Sequence, residues 1–308
     1  MIQVERLRRL YGSVVAVDDL SFAAEPGEIF GLLGPNGAGK TTCIGCISGL
    51  LKPTSGRVAV MGYDMAQDGR RARQALGVVP QDIALYGDLS ATENLNYWAG
   101  AQRLRGALLR QRVAEALALT GLADRAREPV ARFSGGMKRR LNFACGIVHR
   151  PAVLLLDEPT VGVDPQSRVR LLDLIREMAR GGTCVLYTTH YLEEAEALCD
   201  RMAIVDRGRV VVQGTLPELR ALLGERDLLR FSGVFQPGAV RAALEREGLE
   251  VLQAEETFLT LALPEASRRL PSIFALLAAA QADVRSTTIT QPSLESLFIK
   301  LTGRELRE

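Results

Sequence analysis

The stretch GPNGAGKTT, residues 34–42, constrains this chain more than any other. It follows the apolar run EIFGLLG and leads into a helix-like segment. It therefore matches the pattern GxxxxGK[ST] with a strand before it and a helix after it, the context that gives the pattern its meaning. Gly34, Gly37 and Gly39 let the backbone fold closely around phosphate groups and turn its amides inward. The helix that follows adds the positive end of its dipole. Lys40 reaches β- and γ-phosphates, and Thr41 offers a hydroxyl to Mg²⁺.

A loop of this kind implies an α/β fold, and the rest of the chain agrees up to about residue 223. Short apolar runs at 28–34, 57–62, 75–81, 152–157, 183–190 and 201–208 read as strands. Helices are predicted between them at 40–51, 91–104, 107–120, 136–149, 165–180 and 191–198. The alternation predicts a largely parallel, buried sheet. Two successive helices at 91–120, with no strand between them, predict a helical subdomain of about 82–150 inserted into the α/β core. At GERD, 224–227, the pattern changes. Residues 224–308 read βαββαβ with a tail helix, the order of a ferredoxin-like α+β domain.

Composition excludes some classes. The 38 basic and 36 acidic residues leave a net charge of +2, without the basic excess of a nucleic-acid binder. No apolar run approaches the roughly 18 residues of a spanning helix, so a membrane role requires a partner. The N-terminal MIQVERLRRLYG is mixed and charged, unlike a signal peptide. Five scattered cysteines, including the CxxC of Cys43 and Cys46, read as reduced core residues of a cytosolic protein.

Further candidates stand at strand ends. VLLLDEPT, 153–160, ends in Asp157 and Glu158. The first can hold Mg²⁺ through water, and the second can orient and deprotonate an attacking water. His190 ends the strand TCVLYTTH, on the edge where ligands bind in parallel sheets, and can meet a γ-phosphate. Gln81 ends LGVVPQ and can ligate Mg²⁺ and position water, or serve as plain surface amide. Tyr11, beside Gly12, stacks on a purine or packs as an ordinary aromatic. FSGGMKRRLNF, 133–143, joins a serine and two glycines to a basic helix. Ser134 caps that helix, Lys138, Arg139 and Arg140 are read as solvated helix-face cations, and His149 as a cation complementing the helix C-terminus.

With these elements in order, the chain resembles the ATP-binding subunit of an ABC transporter over residues 1–223. The resemblance makes Tyr11 the A-loop aromatic, the whole of Gly34–Thr42 with Asn36, Ala38 and Thr42 the Walker A loop, and Gln81 the Q-loop. It makes Asp157 and Glu158 the end of Walker B, Asp164 the D-loop acid and His190 the switch. It also implies a head-to-tail dimer in which Ser134, Gly135 and Gly136 of one copy cap ATP held by the other. Phe133 and Met137 stand where leucine and glutamine are usual, and VGVDP replaces the commoner GLDP. No acid, base or phosphate-binding position is missing, so the resemblance implies an active ATPase using ATP and Mg²⁺. The tail PSLESLFIKLTG, 292–303, resembles the ending of ATPase subunits of daunorubicin-resistance-type exporters. An exporter subunit at the inner face of the cell membrane, bound to a separate permease, is therefore expected. Ile83, Leu85, Tyr86, Leu89, Tyr97 and Trp98 either receive that permease or pack the helical subdomain. The rival readings are a soluble ABC ATPase acting on ribosome or DNA, and a non-hydrolysing regulatory module.

Overall fold

The computed structural model describes residues 1–222, 227–290 and 293–302. It divides into two compact units, Met1–Gln213 and Gly214–Glu308. The boundary expected at 223/224 lies outside the described residues.

The first unit runs β1 (Ile2–Tyr11), β2 (Val14–Ala24), β3 (Ile29–Leu33), α1 (Lys40–Ile47), β4 (Ser55–Val60), β5 (Tyr63–Asp64), α2 (Gly69–Gln74) and β6 (Leu76–Val79). It continues α3 (Ala91–Ala101), α4 (Gly106–Leu119), α5 (Gly135–Ile147), β7 (Val153–Asp157), α6 (Pro165–Arg180), β8 (Cys184–Thr189), α7 (Leu192–Leu198), β9 (Arg201–Asp206) and β10 (Arg209–Gly214). Two sheets form. The larger has the order β10-β9-β3-β8-β7-β6, with β3, β6, β7, β8 and β9 parallel to their neighbours among these five. The smaller, β2-β1-β4-β5, is antiparallel. The central strands β3, β7 and β8 are buried along their whole length, which is why they read as unbroken apolar runs rather than alternating ones. Strand β10 was not evident in the sequence, nor was the gathering of the two N-terminal strands and the strand at 57–62 into a separate sheet.

The strand order matters for chemistry. Because β8 lies between β3 and β7, the carboxyl ends of these strands bring residues 34–42, 157–158 and 190 to one edge. Helices α3, α4 and α5 enclose a separate core of Leu95, Val113, Leu117, Leu141 and Ala144. Helix α5 serves both cores, since Phe143 and Ile147 face the sheet. Phe133 is buried against the helical core, so its departure from leucine is absorbed by packing. Helix starts follow their caps: Ser90 and Glu93 form a capping box for α3, Ser134 caps α5, and Asp164 with Pro165 starts α6.

The second unit contains α8 (Leu216–Ala221), β11 (Asp227–Val234), α9 (Pro237–Arg246), β12 (Glu250–Ala254), β13 (Phe258–Leu263), α10 (Ala266–Ala279), β14 (Asp283–Thr290) and α11 (Leu294–Thr302). Its sheet has the order β12-β13-β11-β14, antiparallel throughout, which is the ferredoxin-like arrangement. Leu229, Phe231, Leu259 and Leu261 pack against Val240, Leu244, Ile273 and Leu277 of the two helices α9 and α10.

Candidate functional site

Gly39 precedes α1 with φ 104°, and a Cβ there would lie 2.5 Å from the carbonyl oxygen of Ala16. Only glycine fits, so the loop closes tightly onto the helix start. Within the loop Asn36 and Gly37 are exposed, Ala38 is buried, and Thr41 is exposed with Thr42 half-buried. The Lys40 side chain is 4% exposed. Its Nζ donates to Gly34 O at 2.7 Å and Pro35 O at 3.1 Å, and lies 3.0 Å from Glu158 Oε1.

Glu158 thereby becomes the middle of a three-residue chain. Its Oε2 lies 3.1 Å from His190 Nδ1. Burial pushes the Glu158 carboxyl up, but Lys40 and His190 together outweigh that and hold it below the usual carboxylate range. Its backbone is left-handed, φ 44°, and its N–H donates to Thr188 Oγ1 at 3.0 Å. The same Thr188 hydroxyl is within donor distance of Asp157 Oδ1, 2.8 Å. Burial raises the Asp157 carboxyl, against hydrogen bonds from Thr188 and Thr41. A hydroxyl and a buried carboxyl side by side form an oxygen donor set that suits a hard cation. Thr41 and Asp157 thus fit Mg²⁺.

Other predicted residues stand apart from this cluster. Gln81 is exposed, two residues beyond the end of β6, with its carbonyl accepting from Arg139 Nη1 at 2.6 Å. Tyr11 ends β1, is 45% exposed, and carries the Arg9 guanidinium 4.8 Å from its ring centre. Ser134 Oγ accepts from Met137 N at 3.3 Å, as a cap should. Ser134 and Gly135 are exposed, while Gly136 is buried against Asp164 and Ser167. Asp164 Oδ1 accepts from Ser167 N, and that hydrogen bond holds its carboxyl below the usual range.

Three sequence expectations are corrected. Arg139 is not a solvated cation: it is 7% exposed and donates to Gln81 O and to Val161 O, the latter at 3.0 Å. Arg140 is half-buried and donates to Thr120 O at 2.9 Å. His149 does not act as a helix-end cation, because burial lowers its pKa, and Nε2 lies 2.9 Å from Leu76 O.

Sequence reasoning also missed residues. Buried Asn94 and Asn142 hold the segment after Gln81: Asn94 Oδ1 accepts from Tyr86 N, and Asn142 Oδ1 from Ala84 N. A polar residue on the buried face of a helix was the available signal. Beside this segment lies a groove of about 390 Å³, lined by Leu50, Val78, Pro80, Trp98, Cys145 and His149. Ile83, Tyr86 and Tyr97 are exposed near it, the two tyrosines in edge contact. The Leu85 and Leu89 side chains are half-buried. Behind the site, Glu194 is 5% exposed and gathers hydroxyls from Thr160, Tyr187 and Thr189. All five cysteines are free, and burial pushes the Cys43 and Cys46 thiols up. Among the described residues, no helix is long and apolar enough to cross a membrane.

Comparison with known proteins gives a consistent result. The family profile described as ABC transporter matches residues 17–161. The linearmycin resistance ATP-binding protein LnrL of Bacillus subtilis (strain 168) is 39% identical, over 100% of both chains. The daunorubicin resistance ATP-binding protein DrrA3 of Streptomyces coeruleorubidus is 37% identical, over 99% of this chain and 97% of that one. Among solved structures, the dimeric structure of MJ0796, a bacterial ABC transporter cassette, superimposes with a TM-score of 0.65 at 25% identity, covering 70% of this chain and 98% of that one.

Proposed function

The chain belongs to the ABC transporter family, and from that premise we propose that it is the ATP-hydrolysing subunit of an exporter for a drug, antibiotic, lipid or ion. The observation that carries the reading is the Lys40–Glu158–His190 chain at the carboxyl edge of the parallel sheet.

Incoming ATP places its β- and γ-phosphates over the amides of residues 34–42, and Tyr11 stacks on the purine. The phosphates draw Lys40 away from Glu158, which frees that carboxylate to accept a proton from water. His190, already paired with that carboxylate, orients it and meets the γ-phosphate. Thr41, Asp157 and Gln81 would hold Mg²⁺, which supplies positive charge to the phosphate oxygens when bound. Asp164 and the exposed Ser134–Gly135 edge face a second copy of the chain, which completes each site. Gly136 takes part through its backbone alone.

The exposed Ile83, Tyr86 and Tyr97, beside the groove lined by Trp98, are read as the docking face for a cytoplasmic segment of a separate membrane permease. That partner would keep the chain peripheral at the inner membrane face. Crosslinking cysteines at 85–89 to permease loops tests this face.

The catalytic reading is tested by Glu158→Gln. ATP should still bind, and turnover should fall by about 10²–10⁴. Near-normal hydrolysis by the purified variant assigns the base elsewhere. Lys40→Ala should instead weaken nucleotide binding itself.

A further inference from the structure

We infer that Glu194, outside the motifs that mark the site, is a positioning residue for the hydrolytic step: it fixes the backbone segments that carry Glu158 and His190. The inference rests on Glu158 as the base.

Three hydroxyls converge on one buried oxygen. Glu194 Oε2 accepts from Tyr187 OH at 2.6 Å, Thr160 Oγ1 at 2.8 Å and Thr189 Oγ1 at 3.2 Å. Thr160 stands two residues after Glu158, and Thr189 immediately before His190. Thr189 Oγ1 in turn accepts from Tyr191 N at 2.9 Å, which ties the far side of His190 to the same point. Burial raises the Tyr187 hydroxyl far above its ordinary value, so it remains a donor at any working pH. The second oxygen, Oε1, lies 3.4 Å from Arg168 Nε without hydrogen-bond geometry. Arg168 stands on α6, four residues beyond Asp164, and its guanidinium also lies 5.2 Å from the Tyr191 ring. The Tyr191 ring contacts that of His190, with centroids 4.1 Å apart.

Backbone strain gives this arrangement a purpose. Glu158 is a non-glycine residue at φ 44°, a conformation that persists only where its surroundings over-determine it. Thr188 holds it from the N-terminal side through the Glu158 N–H. Thr160, fixed by Glu194, holds the segment on the other side. Without that second anchor, residues 158–160 relax toward ordinary backbone angles, and the 3.1 Å contact between Glu158 and His190 loosens. Stability alone does not account for such a group, because apolar packing is often as good as a buried charged contact or better.

The test is steady-state ATPase kinetics and nucleotide affinity on the purified full chain. Glu194→Ala should lower kcat by about 100-fold, and Glu194→Gln, which keeps an acceptor for the hydroxyls, by about 10-fold, with ATP affinity within about twofold of wild type in both. This split, with partial rescue by the amide, is not the signature of a merely structural residue. Tyr187→Phe and Arg168→Gln, which thin the contacts around Glu194 without removing it, should lower kcat by about threefold with ATP affinity within about twofold of wild type, and they decide the matter if Glu194→Ala does not fold. Wild-type kcat in Glu194→Gln, Tyr187→Phe and Arg168→Gln overturns the inference. A parallel loss of kcat, affinity and melting temperature in Glu194→Gln overturns it as well. Glu158→Gln, run alongside, separates the two claims. If it is inactive while the Glu194 variants are normal, only the positioning role fails; if it is fully active, the reading of the base itself fails.

Discussion

The two glycine motifs of this chain look alike in sequence but are finished differently. The loop at 34–42 is closed by its own chain: Lys40 is buried, two loop carbonyls and Glu158 occupy its ammonium, and Gly39 leaves no room for a methyl group. The turn at 134–136 caps a helix and then presents Ser134 and Gly135 to the outside, where a Cβ on Gly135 would meet nothing within 4 Å. One motif closes on its own chain, the form that fits the phosphate cradle proposed for it. The other has helix-start amides and space in front of them, the form expected of a half-site completed by another molecule.

The sharpest way to break this comparison is Ser134→Arg. It should leave ATP binding by the single chain intact, prevent ATP-driven dimerisation, and cut turnover by about 100-fold or more, as loss of a transition-state donor does. Losing the cap costs about 0.5–2 kcal/mol, so a lower melting temperature is expected. Mixing this variant with Lys40→Ala should recover activity if one intact composite site suffices. Dimerisation of Ser134→Arg at wild-type strength would mean that the turn points somewhere else.

A paired substitution sharpens the contrast between closed and open motifs. Gly39→Ala should weaken ATP binding by about tenfold or more, because the left-handed backbone and the Ala16 carbonyl both oppose it. Gly135→Ala should leave the affinity of the single chain within about twofold. Equal effects in isothermal titration would erase the distinction.

The cations after the open turn differ among themselves. Arg139→Met should destabilise the chain by about 1–3 kcal/mol, since buried carbonyls lose their donor. Arg140→Met should cost less, and Lys138→Met about nothing. Urea midpoints in any other order would contradict the burial of Arg139.

The smallest effect concerns His149, at the far end of the same helix. Its folded pKa lies below the ordinary 6.5, so the unfolded chain binds the extra proton first. Its contribution is whole above the unfolded value and is lost as pH falls through 6.5 toward the folded value. His149→Gln should remove that part of the acid slope in melting temperature. A slope unchanged by the substitution would show that the ring is free to ionise.

How far the sequence was legible depended on whether a signal was local. Strands buried on both faces spell themselves as apolar runs, and a residue that ends one, such as Asp157 or His190, inherits its position from the strand. The loop at 34–42 carries its geometry in its own glycines. Arg139 was misread because its partners, Gln81 and Val161, lie 58 and 22 residues away, and nothing in KRR separates the buried arginine from its neighbours. Glu194 is one of three glutamates in YLEEAEAL, and only the third dimension selects it. Strand β10 escaped notice because it follows a two-residue turn directly after β9, where an end was expected.

One packing detail reaches beyond mechanism. A Cβ on Gly136 would lie 2.6 Å from Ser167 Oγ and 2.9 Å from Asp164 Oδ2. The start of α5 and the start of α6 are therefore a single unit of variation. In a library randomised at 136 alone, alanine asks only that the Ser167 and Asp164 side chains rotate, whereas larger residues must displace both. In one randomised at 136, 164 and 167 together, larger residues at 136 have somewhere to go, though only by giving up the acid at 164. Large side chains at 136 are thus reached through a compound change at 136, 164 and 167 rather than one position at a time.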